Sequence, residues 1–115
     1  MLRGEVREVD FEPIRGSEAN KLRPAVIVSN DGANATASRL NRGVITVVPV
    51  TSNVARVFPF QVLLPASACG LGRDSKAQAE QVRSVAIERV GRRVGQLPPS
   101  LLSELEDALR LHLGL

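Results

Sequence analysis

Cysteine, histidine and aromatic residues are scarce in this sequence, and each shortage narrows the chemistry open to the protein. The 115 residues include one Cys, one His and three Phe, with no Trp or Tyr. A single cysteine, Cys69, excludes an internal disulfide and indicates a reducing cytoplasm, where we interpret it as a structural thiol. Because there is no Cys/His cluster, GxGxxG or P-loop, we predict no metal site and no cofactor. Arginine, hydroxyl, amide and carboxyl groups are left to carry any reaction.

Long apolar runs are also missing. The longest, "AVIV" and "VITVVPV", are far too short to span a bilayer, and the start of the chain, where Met1 and Leu2 are followed at once by Arg3, Gly4 and Glu5, does not resemble a signal peptide. Hydrophobic residues make up 43% of the chain, which is enough for a modest core. We therefore predict one domain over residues 1–115, located in the cytoplasm and without a membrane partner.

Lysine is also scarce. Of the fifteen basic residues only Lys21 and Lys76 are lysine, and the net charge is +3. The planar fork of arginine suits phosphate better than the point charge of lysine does. A GC-rich genome would produce the same bias, and few aromatic rings are available for base stacking. Composition thus permits a nucleic-acid partner without requiring one.

Short apolar segments between turns predict strands. They are "GEVREVDFEP" up to Pro13, "RPAVIVSN", "GVITVVPV" with a break or bulge at Pro49, and "VFPFQVLLP" with Phe58, Phe60 and Val62 on one face. The segment "DGANATASRLNR" is interpreted as a loop with at most one helical turn, and residues 16–22 as a loop.

The second half of the chain predicts fewer strands and one clear helix. A strand is expected from about Gln78, and "ERVGRRVG" predicts a turn followed by a short strand. The helix lies in "LPPSLLSELEDALRLHLGL", between Ser100 and Gly114, with His112 on its apolar face as a packed or interface residue. Five or six strands with one helix indicate a mostly β fold (β+α), a small barrel with a C-terminal helix.

Polar residues stand where two of these strands meet their loops. Glu18 and Arg23 flank the loop before the second strand, and Thr51 and Ser52 follow the third. Side chains at such positions are often recognition groups on a rigid scaffold. Thr51, Ser52 and Asn53 would equally serve to cap their own turn.

These segments resemble the MazF/PemK family of toxin–antitoxin endoribonucleases, and the sequence is most similar to its actinobacterial members. The resemblance rests on "GEVREVDFEPIRGSEANKLRPAVIVSND", "VITVVPVTSN", "FPFQVLL" and "AEQVRSVA", which occur in the family's order from Gly4 to the last helix. It implies an SH3-like barrel of the CcdB/MazF type, a homodimer, and metal-independent cleavage of single-stranded RNA. It also implies a MazE-type antitoxin whose C-terminal tail blocks the RNA groove.

The resemblance implies site residues as well. The family's catalytic arginine, threonine and acidic residue fall on Arg23, Thr51 and Glu18. The RNA-binding set that we carry over consists of Ser52, Ser75, Lys76, Gln81 and Arg83. Attack by the ribose 2′-hydroxyl puts extra negative charge on the non-bridging phosphate oxygens, and a guanidinium and a hydroxyl aimed at them would stabilise that transition state. Glu18 would act as a base or would orient Arg23.

Two other functions fit parts of the same pattern, namely a non-enzymatic gyrase poison like CcdB and an RNA-binding module without activity. The gyrase-binding tail of CcdB is not evident here. One departure from the family is Arg7, which stands where many relatives have an aromatic residue. We interpret Arg7 as a solvated side chain, with a phosphate contact as the alternative.

Overall fold

The computed structural model describes residues 1–11 and 22–115. This part of the chain contains seven strands and three helices. The strands are β1 (Glu5–Asp10), β2 (Leu22–Ile27), β3 (Val44–Thr51), β4 (Gln61–Leu64), β5 (Ser75–Gln78), β6 (Arg83–Ala86) and β7 (Val90–Gln96). The helices are α1 (Asp31–Leu40), α2 (Ala66–Cys69) and α3 (Pro99–Leu113). The prediction of a mostly β fold with a C-terminal helix is confirmed, with seven strands where five or six were expected.

The sheet is antiparallel and is organised around β3. Its order is β4-β5-β3-β2-β1-β7, and β6 also pairs with β3. On one edge, β3 pairs with β2 from Val47 to Pro49. On the other edge, it pairs first with β6 and then, at Val50 and Thr51, with β5. The strand predicted from about Gln78 is observed as β6 alone, after a 3-10 turn at Ala79–Gln81, and β5, which ends at Gln78, was not predicted.

Two apolar cores lie on opposite faces of this sheet. Alternation along β1 sends Val6 to one core and Val9 to the other. The first core is covered by α3 through Leu105 and Ala108, and the second by α1 through Ala37. No helix among the described residues has both the length and the apolar character needed to cross a bilayer.

The C-terminal helix is confirmed, and one expectation about it is wrong. Pro98 and Pro99 mark its start, and Gly114 ends it in the left-handed conformation, with a φ of 72°. His112 is exposed to solvent, so it is not packed within this chain. Its interpretation as an interface residue stays a prediction.

Helix α1 replaces the loop predicted for "DGANATASRLNR". The Asn30 side chain accepts a hydrogen bond from the Ala33 N–H at 2.8 Å, and Asn41 ends the helix at a φ of 50°. Only Asn34 and Ala37 are buried along it. The helix therefore has termination signals but almost no apolar stripe, which is why the hydrophobic pattern did not predict it.

Two further details of the strand prediction are corrected. Strand β3 runs through Pro49 without a break, and Pro49 is its last residue paired with β2. Strand β4 begins only at Gln61, after a turn in which the Phe58 carbonyl accepts a hydrogen bond from the Gln61 N–H at 2.8 Å. The Phe58 and Phe60 rings meet edge to face at 5.3 Å before the strand starts.

The buried Asn34 attaches α1 to the sheet, and its removal should destabilise the protein. Its side chain accepts from the Ser29 hydroxyl at 2.5 Å and donates to the Ser29 carbonyl at 2.9 Å. Asn34→Ala leaves these buried groups unpaired and should lower the free energy of unfolding by about 1–3 kcal/mol. Exposed Thr36→Ala on the same helix should change it by less than about 0.5 kcal/mol. Urea unfolding followed by circular dichroism measures both, and equal effects would contradict this role.

Gly95 allows the segment after α2 to lie directly on β7. A Cβ atom there would stand 2.6 Å from the Cys69 carbonyl oxygen and 2.8 Å from Leu71 Cδ2, closer than atoms pack. Gly95→Ala should therefore cost about 1–3 kcal/mol of stability through overpacking. Gly72→Ala meets nothing within 4 Å and is the matched control. Thermal unfolding of both variants tests this, and a Gly95→Ala protein as stable as the control would refute it.

Candidate active site

A cavity of about 430 Å³ opens where β2 and β3 end, and we call it the strand-end cavity. The β2–β3 ladder stops at Ala25 and Pro49, yet β2 continues to Leu22 against β1. The ends of the two strands therefore diverge and leave space between them. The cavity is lined by Glu8, Leu22, Arg23, Pro24, Val50, Thr51, Ser52, Leu71, Gly72, Arg73, Ser75 and Val94.

A second cavity lies beside the first, and Arg23 lines both. The second, which we call the side cavity, measures about 390 Å³ and is lined by Phe11, Arg23, Pro49, Gln78, Gln81 and Arg83. Arg23 is exposed and stands opposite Val9 of β1, one residue before Pro24. Pro24 fixes the backbone in the extended form at this point. The guanidinium is thus carried on a rigid strand between two concave surfaces.

Thr51 caps its own turn, which is one of the two interpretations that the sequence left open, and it also lines the strand-end cavity. Its Oγ1 accepts a hydrogen bond from the Asn53 N–H at 3.3 Å, and Asn53 Oδ1 accepts from the Ala55 N–H at 3.3 Å. The turn-capping role is therefore present. Because Oγ1 is the acceptor in that bond, its own O–H remains able to donate to a group in the cavity.

The two predicted serines lie in the strand-end cavity. Ser52 is exposed at its mouth, whereas Ser75 is buried in its wall. The Ser75 hydroxyl donates to the Arg73 carbonyl at 3.1 Å. Its lone pairs can still accept a hydrogen bond from a ligand.

Gln81 and Arg83 face the side cavity. Arg83 lies over the Phe11 ring, with its guanidinium carbon 5.2 Å from the ring centre. This cation–π contact holds an aromatic face and a positive charge at one wall. The side cavity therefore combines amide groups, which can bond to base edges, with a surface suited to stacking.

Among the predicted residues that the structure describes, Lys76 is not brought to either cavity. Lys76 is buried, donates from Nζ to the Arg56 carbonyl at 2.6 Å, and lies 5.9 Å from the centre of the Phe58 ring. In this position it ties the segment before β4 to β5. Glu18 lies outside the described residues.

Arg7 is a structural residue, and the expectation that it is simply solvated is wrong. It forms an ion pair with Glu5 at 3.0 Å and donates to the Gly91 carbonyl at 3.1 Å. Burial would raise the pKa of Glu5, but a hydrogen bond from the Leu2 N–H and the Arg7 guanidinium outweigh it, so the pKa lies below its usual value. Arg7 thereby joins β1 to β7, and all three of its guanidinium nitrogens have partners within this chain.

Cys69 fits the structural interpretation. It is buried in the first core, and burial raises the pKa of its thiol. A raised pKa reduces the thiolate fraction and hence the reactivity. Among the described residues, no group of three or more His, Cys, Asp or Glu side chains is arranged to hold a metal ion.

Sequence reasoning missed several residues that line the cavities. Glu8 and Phe11 belong to the predicted first strand and its end, and alternation along that strand separates Glu8 from the buried Val9. Placing them at the site requires the β1–β2 register, in which Glu8 stands opposite Pro24. Arg73 and Gln78 were likewise not predicted.

Comparison with known proteins shows the family and the fold of the chain. The family model for the PemK-like, MazF-like toxin of type II toxin-antitoxin systems matches residues 2–113. Endoribonuclease MazF9 of Mycobacterium tuberculosis is 64% identical over 115 residues, covering all of this chain and 98% of the relative. Endoribonuclease EndoA of Bacillus subtilis is 29% identical, with 98% of this chain and 94% of the relative covered.

Solved structures share the fold. A mycobacterial endoribonuclease in complex with its cognate antitoxin superposes with a TM-score of 0.77 at 23% identity, covering 100% of this chain and 96% of the other. A MazE-MazF structure from Deinococcus radiodurans gives a TM-score of 0.75 at 26% identity, covering 100% and 96%. By its sequence over nearly the whole chain and by its fold, this protein belongs to the PemK/MazF family of type II toxin–antitoxin toxins.

Proposed function

We propose that this protein is the toxin of a type II toxin–antitoxin module and acts as a metal-independent endoribonuclease on single-stranded RNA. Attack of a ribose 2′-hydroxyl on the adjacent phosphorus would expel the 5′-oxygen and leave a 2′,3′-cyclic phosphate and a 5′-hydroxyl. The observation that carries this proposal is the presence of Arg23 and Thr51 in one cavity, with Arg23 lining a second cavity beside it. The family and the endoribonuclease names of its full-length relatives support the activity.

The roles of the two residues follow from their chemistry. As the bond to phosphorus forms, negative charge builds up on the non-bridging oxygens. The Arg23 guanidinium offers planar, permanently charged donors, and the Thr51 hydroxyl has a proton to give because its oxygen already accepts from Asn53. Donors that strengthen as charge develops lower the barrier to reaction.

The two cavities suggest how the substrate lies. With the scissile phosphate at Arg23, the nucleotides on its two sides would enter the strand-end cavity and the side cavity. Ser52 and Ser75 would then contact one nucleotide, and Gln81 and Arg83 the other. RNA binding by Lys76, whose ammonium is held by the Arg56 carbonyl, and catalysis by Glu18 stay predictions.

We also propose the partners and setting expected for such a toxin. These are a homodimer, a MazE-type antitoxin whose C-terminal tail blocks the RNA groove, and the cytoplasm, with residues 1–115 forming one domain. Relatives solved together with an antitoxin support that partner. The gyrase-poison alternative is not favoured, because the full-length relatives reported above are named endoribonucleases.

Removing either donor should abolish most of the activity. Arg23→Ala and Thr51→Val should each lower the rate of cleavage of a single-stranded RNA by on the order of 100- to 1,000-fold, because each loses a transition-state donor. Arg39→Ala, which removes an exposed arginine from the last turn of α1, should cleave like the parent protein. Cleavage is followed on a labelled oligonucleotide with EDTA present, and the ends are identified by their resistance to ligation and phosphatase treatment.

The same assay separates the competing functions. Full activity of Arg23→Ala would contradict the mechanism, and loss of the parent's activity in EDTA would contradict metal independence. RNA binding without cleavage by the parent protein would indicate a binding module. Inhibition of gyrase without any action on RNA would support the CcdB-like alternative.

A further inference from the structure

Glu8 introduces a negative charge into a cavity that we have assigned to RNA. It is the one carboxylate among the described residues that line the strand-end cavity. Glu8 stands opposite Pro24 across the β1–β2 ladder, whereas Arg23 stands opposite Val9, one residue further along. Neighbouring residues of a strand point to opposite faces, so the Glu8 side chain lies on the Pro24 face of the sheet and the Arg23 side chain on the Val9 face. The cavity therefore has a negative side and a positive side.

An ion pair engages one oxygen of the Glu8 carboxylate. Its Oε1 lies 3.2 Å from Arg92 Nη2 of β7, and the Glu8 side chain is 26% exposed. The Arg92 side chain is 76% exposed, so the pair contributes little to stability. Because one oxygen is engaged, Oε2 keeps its lone pairs for a ligand.

On the Glu8 side, the rest of the strand-end cavity is better suited to a nucleobase than to a phosphate. They are largely apolar and come from Leu22, Pro24, Val50, Leu71 and Val94. Apolar walls with a polar group at one edge are typical of sites that enclose a flat heterocycle. A phosphate would be repelled by Glu8 and attracted to Arg23. The base would thus lie toward Glu8, with its phosphate toward Arg23 and Thr51.

A carboxylate distinguishes the four bases by what it accepts. Adenine, cytosine and guanine carry an exocyclic amino group that can donate to Oε2, whereas the one edge donor of uracil, N3–H, lies between two carbonyl oxygens that the carboxylate repels. We infer that Glu8 is a specificity-determining residue that makes the strand-end cavity select a base with an exocyclic amino group over uracil. This inference rests on the proposed function, because it assigns one nucleotide subsite of the same site.

Glu8→Gln tests the inference. A glutamine amide can turn to present either an oxygen or an N–H group, so it can pair with uracil as well as with an amino group. The substrate is an RNA library randomised at the nucleotides that flank the cut, and the cut sites are identified by sequencing. The parent protein should disfavour uracil at one flanking position by on the order of 10- to 100-fold. In Glu8→Gln that ratio should fall to about 3-fold or less, with cleavage at the other three bases retained.

Glu104→Gln is the matched control, since it removes the same charge from an exposed position on α3. It should keep the base preference of the parent protein. An unchanged preference in Glu8→Gln, or the same loss of cleavage at all four bases, would overturn the inference. A parent protein that cleaves RNA without disfavouring uracil would also overturn it while leaving the proposed function intact. A parent protein that cleaves no RNA would contradict the proposed function and this inference with it.

Discussion

The change of partner along β3 is the constraint on which the site depends. Up to Pro49 this strand pairs with β2, and at Val50 and Thr51 it pairs with β5 on its other edge. Strand β2 nevertheless continues to Leu22, because β1 still pairs with it there. The two strand ends must then separate, and polar residues from both enter the space between them. Arg23 and Thr51 meet at one cavity for this reason, although 27 positions separate them in the sequence.

Some arginines of this protein hold the fold together in ion pairs, and others line the candidate site. Several arginines are paired with acids outside the lining of the two cavities: Arg3 with Glu106, Arg7 with Glu5, and Arg110 with Asp107. Arg23 and Arg73 line the strand-end cavity, and within residues 1–11 and 22–115 neither is in an ion pair. The arginine-rich composition thus has two structural meanings. Only the position in the fold, and not the count, separates an arginine that holds strands together from one that can meet an anion.

The sequence predicted those elements whose formation depends on residues that are close together in the chain. Strands β2 and β3 and helix α3 follow from their apolar periodicity and their prolines, and the resemblance carried over Arg23 and Thr51. Helix α1 was missed because the buried Asn34, rather than an apolar stripe, attaches it to the sheet. Strands β5 and β6 both pair with β3 on either side of a 3-10 turn, and this long-range pairing is not visible in the local sequence. Glu8 could not be assigned to the site for the same reason, since its place depends on the register between β1 and β2.

In the proposed function, the two cavities together would account for a preference for single-stranded RNA. In the proposed binding mode Arg23 holds the phosphate, and the adjoining bases enter cavities on either side of it. One cavity carries the carboxylate of Glu8, and the other the Phe11 ring beneath Arg83. Two neighbouring bases can occupy such separate sites only if they are unstacked and turned away from each other. Bases in a duplex are stacked and paired, and separating them costs free energy. An unpaired strand does not require this step. Selectivity for single-stranded RNA would therefore follow from the separation of the cavities, before any contact with a base edge is considered.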